Sequence, residues 1–239
     1  MIGGRIAIKR RSKEEGEKPF WISYADLMTA LMVLFLVAMS VALLAVTKTI
    51  TEAERRKAER EQEIERLLDK FVAAAKRYSG VSVDRNRKVI DFRDRARFDT
   101  ASHKLTQEQE RYLRGFAPEV LAIARDKLGQ TWLKRIVIEG FADQRGTYLF
   151  NLNLSLQRSQ RVLCVLLAPP LAGEREISPD EREQIRELFL VGGYSFNSAK
   201  ASFEESRRIE LRLEFFELND DRTPATSIVR SDFGKCSLE

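Results

Sequence analysis

Cysteine and histidine are scarce in this sequence, which has two cysteines and one histidine in 239 residues. Two cysteines are too few for a disulfide framework. Cys164, in the apolar stretch RVLCVLL, is predicted to be a small buried hydrophobic residue, and Cys236 is assigned no function. His103 stands in a polar stretch with no second ligand at useful spacing. The sequence therefore predicts no metal site and no resident cofactor.

Signatures of catalysis are also missing from the sequence. No nucleophile stands with a partnering base, and no pair of carboxylates shares one face of a predicted element. Gly192-Gly193 is too short a glycine run to form a phosphate-binding loop. We therefore predict that the protein is not an enzyme.

The excess of positive charge is small and is concentrated near the N-terminus. The formal net charge is +5, from 41 basic and 36 acidic residues. Residues 1–18 contain six basic and three acidic side chains, and so carry +3 of that charge. A basic flank beside a first membrane span keeps that side in the cytoplasm. This explains the basicity without nucleic acid as a direct partner.

One long apolar run is present, from Trp21 to Val46. Its roughly 26 residues would form a helix of ~39 Å, enough to cross a bilayer with some tilt. The alternative is a cleaved signal peptide, with Ser40 and Ala42 as small residues at the cleavage site. Because the run is too long and continues past that site, an uncleaved signal anchor is favoured.

Asp26 is the single charged residue of this run. An ionised aspartate in the hydrocarbon costs on the order of 3 kcal/mol, so a retained acid is expected to face protein or water and to have a function. On a helix it aligns with Ala30, Val33 and Val37, whose size permits close approach of another helix. Ion or proton handling is the favoured hypothesis. The alternative is an aspartate that reaches back to the cytoplasmic interface.

The segment 47–79 lacks glycine and proline and is strongly charged in its first half. Apolar residues then recur at helical spacing, which predicts a helix with one apolar stripe. The stripe consists of Ile64, Leu67, Leu68, Phe71, Val72 and Ala75. We interpret the first half as a solvated stalk, while a coiled-coil start or a plug over a pore remains open.

From about Gly80 onward, strand and helix signals alternate, which predicts a compact α/β sandwich. The predicted strands are 89–92, 136–140, 188–191 and 209–215. The predicted helices are 106–128, with a kink or break at Pro118, then 154–167, and a third that starts at Ser178 with a capping box to Glu181. The predicted domains are a basic cytoplasmic N-terminus at 1–18, a transmembrane helix at 19–46, a helical linker or possible plug at 47–79, the α/β domain at 80–218 and a tail at 219–239.

The segment PFWISYADLMTALMVLFL, residues 19–36, resembles the transmembrane helix of MotB-type stator subunits. Tyr24-Ala25-Asp26, Met28-Thr29 and Met32 match the motif of that family. The resemblance implies that Asp26 binds the translocated H+ or Na+, with Tyr24 and Thr29 as further ion-path residues. It also implies that two copies of the helix lie inside a ring of MotA-type channel subunits.

Residues 85–216 resemble the OmpA-like peptidoglycan-binding domain, through IEGFADQRG followed by NLNLSLQRSQRV. Ala142 replaces the usual threonine of the family pattern, and Ser159 the usual alanine. The resemblance implies a mixed sheet with helices packed on it. It also implies a pocket in which Asp143 and Arg158 grip the ammonium and carboxylate ends of the stem-peptide diamino acid.

The same resemblance assigns roles to the neighbouring residues. Asn151, Leu154 and Ser155 are implied to complete the peptidoglycan pocket, whereas Arg207 and Arg208 match a closing strand motif and are implied to be structural. The alternative interpretation makes Asp143 and Arg158 an internal salt bridge and Asn151 a helix cap.

Together the two resemblances imply a wall-anchored, ion-conducting stator-type subunit that crosses the bacterial inner membrane once, with its C-terminal domain in the periplasm. The implied partners are a MotA-like pentamer, a second copy of the chain and peptidoglycan. The short distance between span and wall-binding domain resembles subunits of the Zorya anti-phage defence system more than flagellar MotB or PomB. Flagellar torque generation and a passive membrane-to-wall tether are the alternatives, and the choice between H+ and Na+ stays open.

Overall fold

A computed structural model describes residues 20–220 and 233–238. The predicted basic N-terminus, 1–18, and most of the predicted tail lie outside the described residues. The chain divides into two compact units, Met1–Arg55 and Arg56–Glu239. The second unit thus begins well before the predicted domain start at residue 80.

Helix α1 extends without interruption from Phe20 to Ala75. The segment contains no glycine or proline that would break it. Among the described residues, this is the one helix long and apolar enough to span a membrane, with a mean hydropathy of 2.7 over 18 residues. The side chains from Tyr24 to Ile50 are exposed. The predicted transmembrane helix and the predicted linker are therefore parts of one helix.

The second unit is built on a five-stranded sheet with the strand order β1-β2-β5-β3-β4. The strands are β1 (Ser82–Asp84), β2 (Val89–Asp91), β3 (Leu133–Gly140), β4 (Phe189–Gly193) and β5 (Ile209–Phe215). β3 and β4 run parallel, and the other neighbouring pairs are antiparallel. The predicted fold class, a long apolar helix followed by an α/β domain with a mixed sheet, is confirmed.

Helices and one short turn connect these strands. They are a 3-10 turn (Arg93–Ala96), α2 (Gln107–Arg125), α3 (Lys127–Trp132), α4 (Tyr148–Leu167), α5 (Pro179–Leu188) and α6 (Phe203–Ser206). At the start of α5, Ser178 and Glu181 form the predicted capping box, and Thr106 and Gln109 form a second one at α2. Each box satisfies backbone N–H groups that the first turn of a helix leaves unpaired.

Two helix boundaries differ from the prediction, and Pro118 produces no break. α2 ends at Arg125 because Asp126 has an extended backbone and its side chain caps α3. Pro118 lies within α2 and does not end it. α4 begins at Tyr148, six residues before the predicted 154, because the Thr147 hydroxyl accepts a hydrogen bond from a backbone N–H of the first turn.

The apolar stripe at the end of α1 is buried in the second unit. Ile64, Leu67, Leu68 and Phe71 are at most 3% exposed and belong to the main core, which also contains residues of β2, β3, β5, α2, α4 and α5. Arg60, one turn before this stripe, donates to the carbonyl oxygen of Phe216 at 2.8 Å. The end of α1 is therefore a structural part of the α/β domain.

The predictions for the two cysteines are wrong. Cys164 on α4 and Cys236 form a disulfide, with their Cα atoms 5.7 Å apart, and Cys164 is half-buried. Their separation of 72 residues leaves no local pattern from which the pair could be recognised. Next to the bond, Arg161 donates to the carbonyl oxygen of Leu238 at 3.0 Å. The disulfide thus holds residues 233–238 against α4.

We predict that this disulfide stabilises the α/β domain. A disulfide typically contributes about 2–4 kcal/mol, so Cys236→Ser should lower the free energy of unfolding by about that amount. Denaturant titration of the purified full chain, with and without dithiothreitol, measures the effect. Reduction should destabilise the wild type and leave the variant unchanged. A wild-type transition that does not respond to dithiothreitol would contradict the prediction.

Candidate functional site

The apolar part of α1 carries an open groove around Asp26. The groove has a volume of about 550 Å³ and is lined by Asp26, Thr29, Ala30, Val33, Leu34 and Val37. The alignment of Asp26 with Ala30, Val33 and Val37 that the helical period predicts is thus present. Small and medium side chains around one carboxylate leave room for another helix to approach.

The other predicted ion-path residues differ in their relation to Asp26. The Thr29 hydroxyl lies one helical turn away, within hydrogen-bond distance of the carbonyl oxygens of Asp26 (2.8 Å) and Ala25 (3.0 Å). Its lone pairs remain available to a cation. Tyr24 lies about 200° around the helix from Asp26 and is not among the residues that line the groove. The structure therefore brings Thr29, but not Tyr24, beside the carboxylate.

The second candidate site lies where the end of β3 meets the start of α4. A Cβ atom on Gly140 would lie 1.9 Å from the carbonyl oxygen of Ser155, so only glycine permits this contact between strand and helix. The following residues, Phe141 and Ala142, are tied by their backbone N–H groups to the carbonyl oxygens of Arg208 and Ser195. Asp143 is held at a fixed place as a result.

A cavity of about 170 Å³ opens beside Asp143. Its walls come from three parts of the domain: the loop before α2, the loop after β3, and α4. The lining residues are Thr100, Ala101, Asp143, Arg145, Gly146, Phe150, Asn151, Leu154 and Arg158. The predicted pair Asp143 and Arg158 therefore faces a common cavity.

Arg158 is fully buried, with a relative exposure of 0%. It donates from Nε to the carbonyl oxygen of Ser102 (2.9 Å), from Nη1 to that of Phe141 (2.8 Å) and from Nη2 to that of Asp99 (3.0 Å). Burial lowers the pKa of Arg158 to about 10, although the nearby Asp143 carboxylate opposes this change. The guanidinium therefore stays charged at neutral pH, and these carbonyls take the place of the proposed internal salt bridge to Asp143.

Asp143 is 6% exposed and is paired with two other arginines. Its Oδ2 accepts from Arg145 Nη2 (2.6 Å), Arg145 Nε (3.2 Å) and Arg207 Nη1 (3.1 Å), and its Oδ1 accepts from the backbone N–H of Arg145 (3.0 Å). Burial raises the pKa of Asp143, but the hydrogen bonds from Arg145 and Arg207 outweigh burial, and the net pKa lies below the usual value. Asp143 is thus a stable anion at neutral pH.

The remaining predicted pocket residues separate into two groups. Asn151 and Leu154 line the cavity, and Asn151 Nδ2 donates to the carbonyl oxygen of Arg145 at 2.9 Å. Asn151 is not the cap of α4, since Thr147 has that role. Ser155 lies behind the cavity wall, where its Oγ donates to the carbonyl oxygen of Leu152 and accepts from the N–H of Ser195.

Sequence reasoning missed the roles of two arginines at this site. Arg207 was predicted to be structural, and it does donate to the carbonyl oxygen of Phe98 at 2.8 Å, but it also contacts Asp143. Arg145 was not singled out, although it stands two residues after Asp143 in the same motif. The separation of two residues could have indicated this contact, because an arginine side chain so close in the sequence can fold back onto the carboxylate.

The sequence is 46% identical to the Zorya protein ZorB of Escherichia coli O139:H28 over 229 residues, which cover 95% of this chain and 93% of that protein. The chain belongs to the ZorB family. The resemblance to Zorya subunits that the sequence indicated is therefore confirmed.

Other comparisons of this ZorB-family chain concern its separate parts. The family described as membrane MotB of the proton-channel complex MotA/MotB matches residues 8–53, a range that includes Asp26. The periplasmic domain of Helicobacter pylori MotB is 16% identical, with 61% of this chain and 85% of that chain covered and a TM-score of 0.42. The OmpA-like domain of FopA1 from Francisella tularensis is 15% identical, with coverages of 57% and 82% and a TM-score of 0.35.

The pKa of Asp143 predicts a pH dependence of stability. A carboxyl group whose pKa is lower in the folded chain stabilises the fold above its unfolded pKa, near 3.8, and loses this contribution as the pH falls through the folded pKa. Asp143→Asn keeps the shape but removes the charge, so it should be less stable than the wild type by about 2 kcal/mol at neutral pH. Thermal unfolding at a series of pH values measures the difference, which should shrink as the pH drops below 3.8. A difference that stays constant would contradict the assignment.

Proposed function

We propose that this chain is a cell-wall-anchored, ion-conducting stator-type subunit of an inner-membrane motor used in anti-phage defence. H+ or Na+ passes by way of Asp26 and drives movement of a surrounding MotA-like ring. The observation that carries the proposal is Asp26 itself, a single carboxylate in the otherwise uncharged run Trp21 to Val46, within the range that matches the MotB family.

The chemistry of Asp26 suits an ion carrier. A carboxylate can accept a proton or coordinate a metal cation, so Asp26 takes up either ion on one side and releases it on the other as its surroundings change. Thr29 supplies an additional oxygen one turn away on the same groove. A passive anchor has no use for either group.

The ion path requires partner subunits. A single helix presents Asp26 on one face and cannot enclose an ion, so helices of another chain complete the site. We assign this role to a MotA-like, ZorA-type multi-span pentamer, with two copies of the present chain at its centre. The small side chains Ala30 and Val33 beside Asp26 support such close packing.

The proposed topology places the N-terminus in the cytoplasm and the α/β domain in the periplasm. The charge of +3 on residues 1–18 supports the cytoplasmic placement of that end. The Cys164–Cys236 disulfide supports an oxidising compartment for the other end.

The cavity at Asp143 and Arg158 supports attachment to peptidoglycan. A diamino acid of the stem peptide carries an ammonium and a carboxylate, and the cavity offers one fixed anion and one fixed guanidinium. Arg158 uses three of its five N–H groups on backbone carbonyls, so two remain for a ligand carboxylate. An attached domain keeps the subunit stationary while the ring moves.

The likeness to a Zorya protein favours defence over flagellar torque generation. A passive tether between membrane and wall is the other candidate, and it would need the cavity at Asp143 but no titratable group in the membrane. The two candidates therefore differ in what they require of Asp26.

We predict that Asp26→Asn abolishes phage protection. The amide keeps the shape of the side chain but neither binds nor releases an ion, so the efficiency of plating of a sensitive phage should rise to that of cells without the system. Membrane levels of the chain and its sedimentation with peptidoglycan should not change. Glu52→Gln, an exposed acid on the same helix, is the matched control and should protect normally. Full protection by Asp26→Asn would favour the tether.

We also predict that the cavity residues are needed for wall binding. Asp143→Asn removes the anion, and Arg158→Lys replaces the fork of donors by a point charge, so each should reduce co-sedimentation of the purified chain with peptidoglycan by about tenfold or more. Arg85→Lys is the control, since Arg85 pairs with Glu65 and Asp69 outside the cavity. Thermal unfolding verifies that each variant is folded. Undiminished sedimentation of both folded cavity variants would show that the wall is bound elsewhere.

A further inference from the structure

The Arg145 side chain lines the cavity and pairs with the Asp143 carboxylate. It forms a fork on Asp143 Oδ2, through Nη2 at 2.6 Å and Nε at 3.2 Å. Its Nη2 also lies 3.1 Å from the Thr100 hydroxyl, and its guanidinium stands 4.8 Å from the centre of the Phe203 ring. The Arg145 guanidinium therefore occupies the space next to the carboxylate within the cavity.

These contacts saturate one oxygen of the Asp143 carboxylate. Oδ2 accepts from Arg145 Nη2 and Nε and from Arg207 Nη1, and Oδ1 accepts from the backbone N–H of Arg145. A carboxylate oxygen has about two lone-pair sites, so Oδ2 has no place for a further donor. An incoming ammonium group can bind Oδ2 only after one of the arginines has moved.

Arg145 is the arginine that can move. Its side chain is 48% exposed, whereas the Arg207 side chain is 12% exposed. Arg207 is also held by the carbonyl oxygen of Phe98. The other contacts of Arg145, with Thr100 and the half-exposed ring of Phe203, lie at the surface, where ion pairs and ring contacts contribute little and exchange readily with water.

We propose that Arg145 is an internal competitor that occupies the ammonium subsite of the cavity until a ligand amine displaces it. The inference rests on the proposed wall-binding function. When no ligand is bound, the Arg145 guanidinium neutralises the Asp143 carboxylate. A ligand that displaces Arg145 therefore has to bring a positive charge of its own. A stem peptide without a free side-chain amine does not open the site, because removal of Arg145 would leave the buried Asp143 charge with Arg207 alone.

The competitor lowers the apparent affinity of the chain for its ligand. When only a fraction of the molecules has the open conformation, the observed dissociation constant is the intrinsic one divided by that fraction. Loss of a half-exposed ion pair shifts such an equilibrium by roughly twofold to fivefold. Substitution of Arg145 should therefore tighten binding, which is the opposite of what a residue that contacts the ligand would show.

Isothermal titration of the full chain in detergent tests the proposal. The probe is the tripeptide L-Ala-γ-D-Glu-meso-diaminopimelate, compared with the same peptide acetylated on its side-chain amine. Arg145→Gln should bind the free amine roughly twofold to fivefold more tightly than the wild type. Phe203→Ala, which removes the ring beside the guanidinium, should shift binding in the same direction by less. Arg85→Gln, a half-exposed paired arginine outside the cavity, should leave binding unchanged.

The possible failures are distinguishable. Unchanged or weaker binding by Arg145→Gln, with clear binding by the wild type, would overturn the competitor and leave the wall-binding function intact. Equal tightening for the acetylated peptide would also overturn it, because the amine would then not be the displacing group. If neither the wild type nor Arg145→Gln binds the tripeptide or sediments with peptidoglycan, both the competitor and the proposed wall attachment fail.

Discussion

The α/β domain depends on one buried guanidinium. Arg158 is fully buried, and its donors hold the carbonyl oxygens of Asp99, Ser102 and Phe141. A buried charge is strongly destabilising unless it is hydrogen-bonded, so these three carbonyls have to converge on α4. Between two of them, Ala101 has a φ of 53°, a left-handed conformation that residues with a Cβ rarely adopt. The walls of the candidate cavity are consequences of this requirement.

The same requirement explains why the site is assembled from distant parts of the chain. Arg158 joins the loop before α2 to the loop after β3, and Arg207 brings the start of β5 to Asp143. Gly140 allows the end of β3 to touch α4. The cavity therefore contains charges of both signs at positions that the surrounding backbone fixes.

The sequence predicted those features that are local or periodic. The apolar stripe from Ile64 to Ala75 follows the helical period, and the capping box at Ser178 and Glu181 occupies four successive residues, so both could be recognised directly. The motif around Asp143 and Arg158 identified two residues that do share a cavity. Their individual partners could not be predicted, because the carbonyls that bind Arg158 are 17 to 59 residues away.

Other features depended on tertiary contacts that no local pattern reports. The Cys164–Cys236 disulfide joins α4 to the tail across 72 residues. The roles of Ser155 and Arg207 were interpreted from a motif match, which gives a position in the sequence but not the direction of a side chain. In the structure Ser155 supports the segment at Ser195 from behind the cavity, and Arg207 reaches into the site. Arg145 had no predicted role because the family pattern accepts any residue at that position.

Ion flux through the assembled complex tests the central claim most directly. The chain and its MotA-like partner would be reconstituted into sealed vesicles, and the uptake of H+ or Na+ would be recorded after a gradient is imposed. The account predicts uptake by the wild-type complex and background uptake when Asp26 is replaced by asparagine in an equally assembled complex. Equal uptake by the two complexes would contradict the account, because the carboxylate in the membrane helix would then have no part in ion movement.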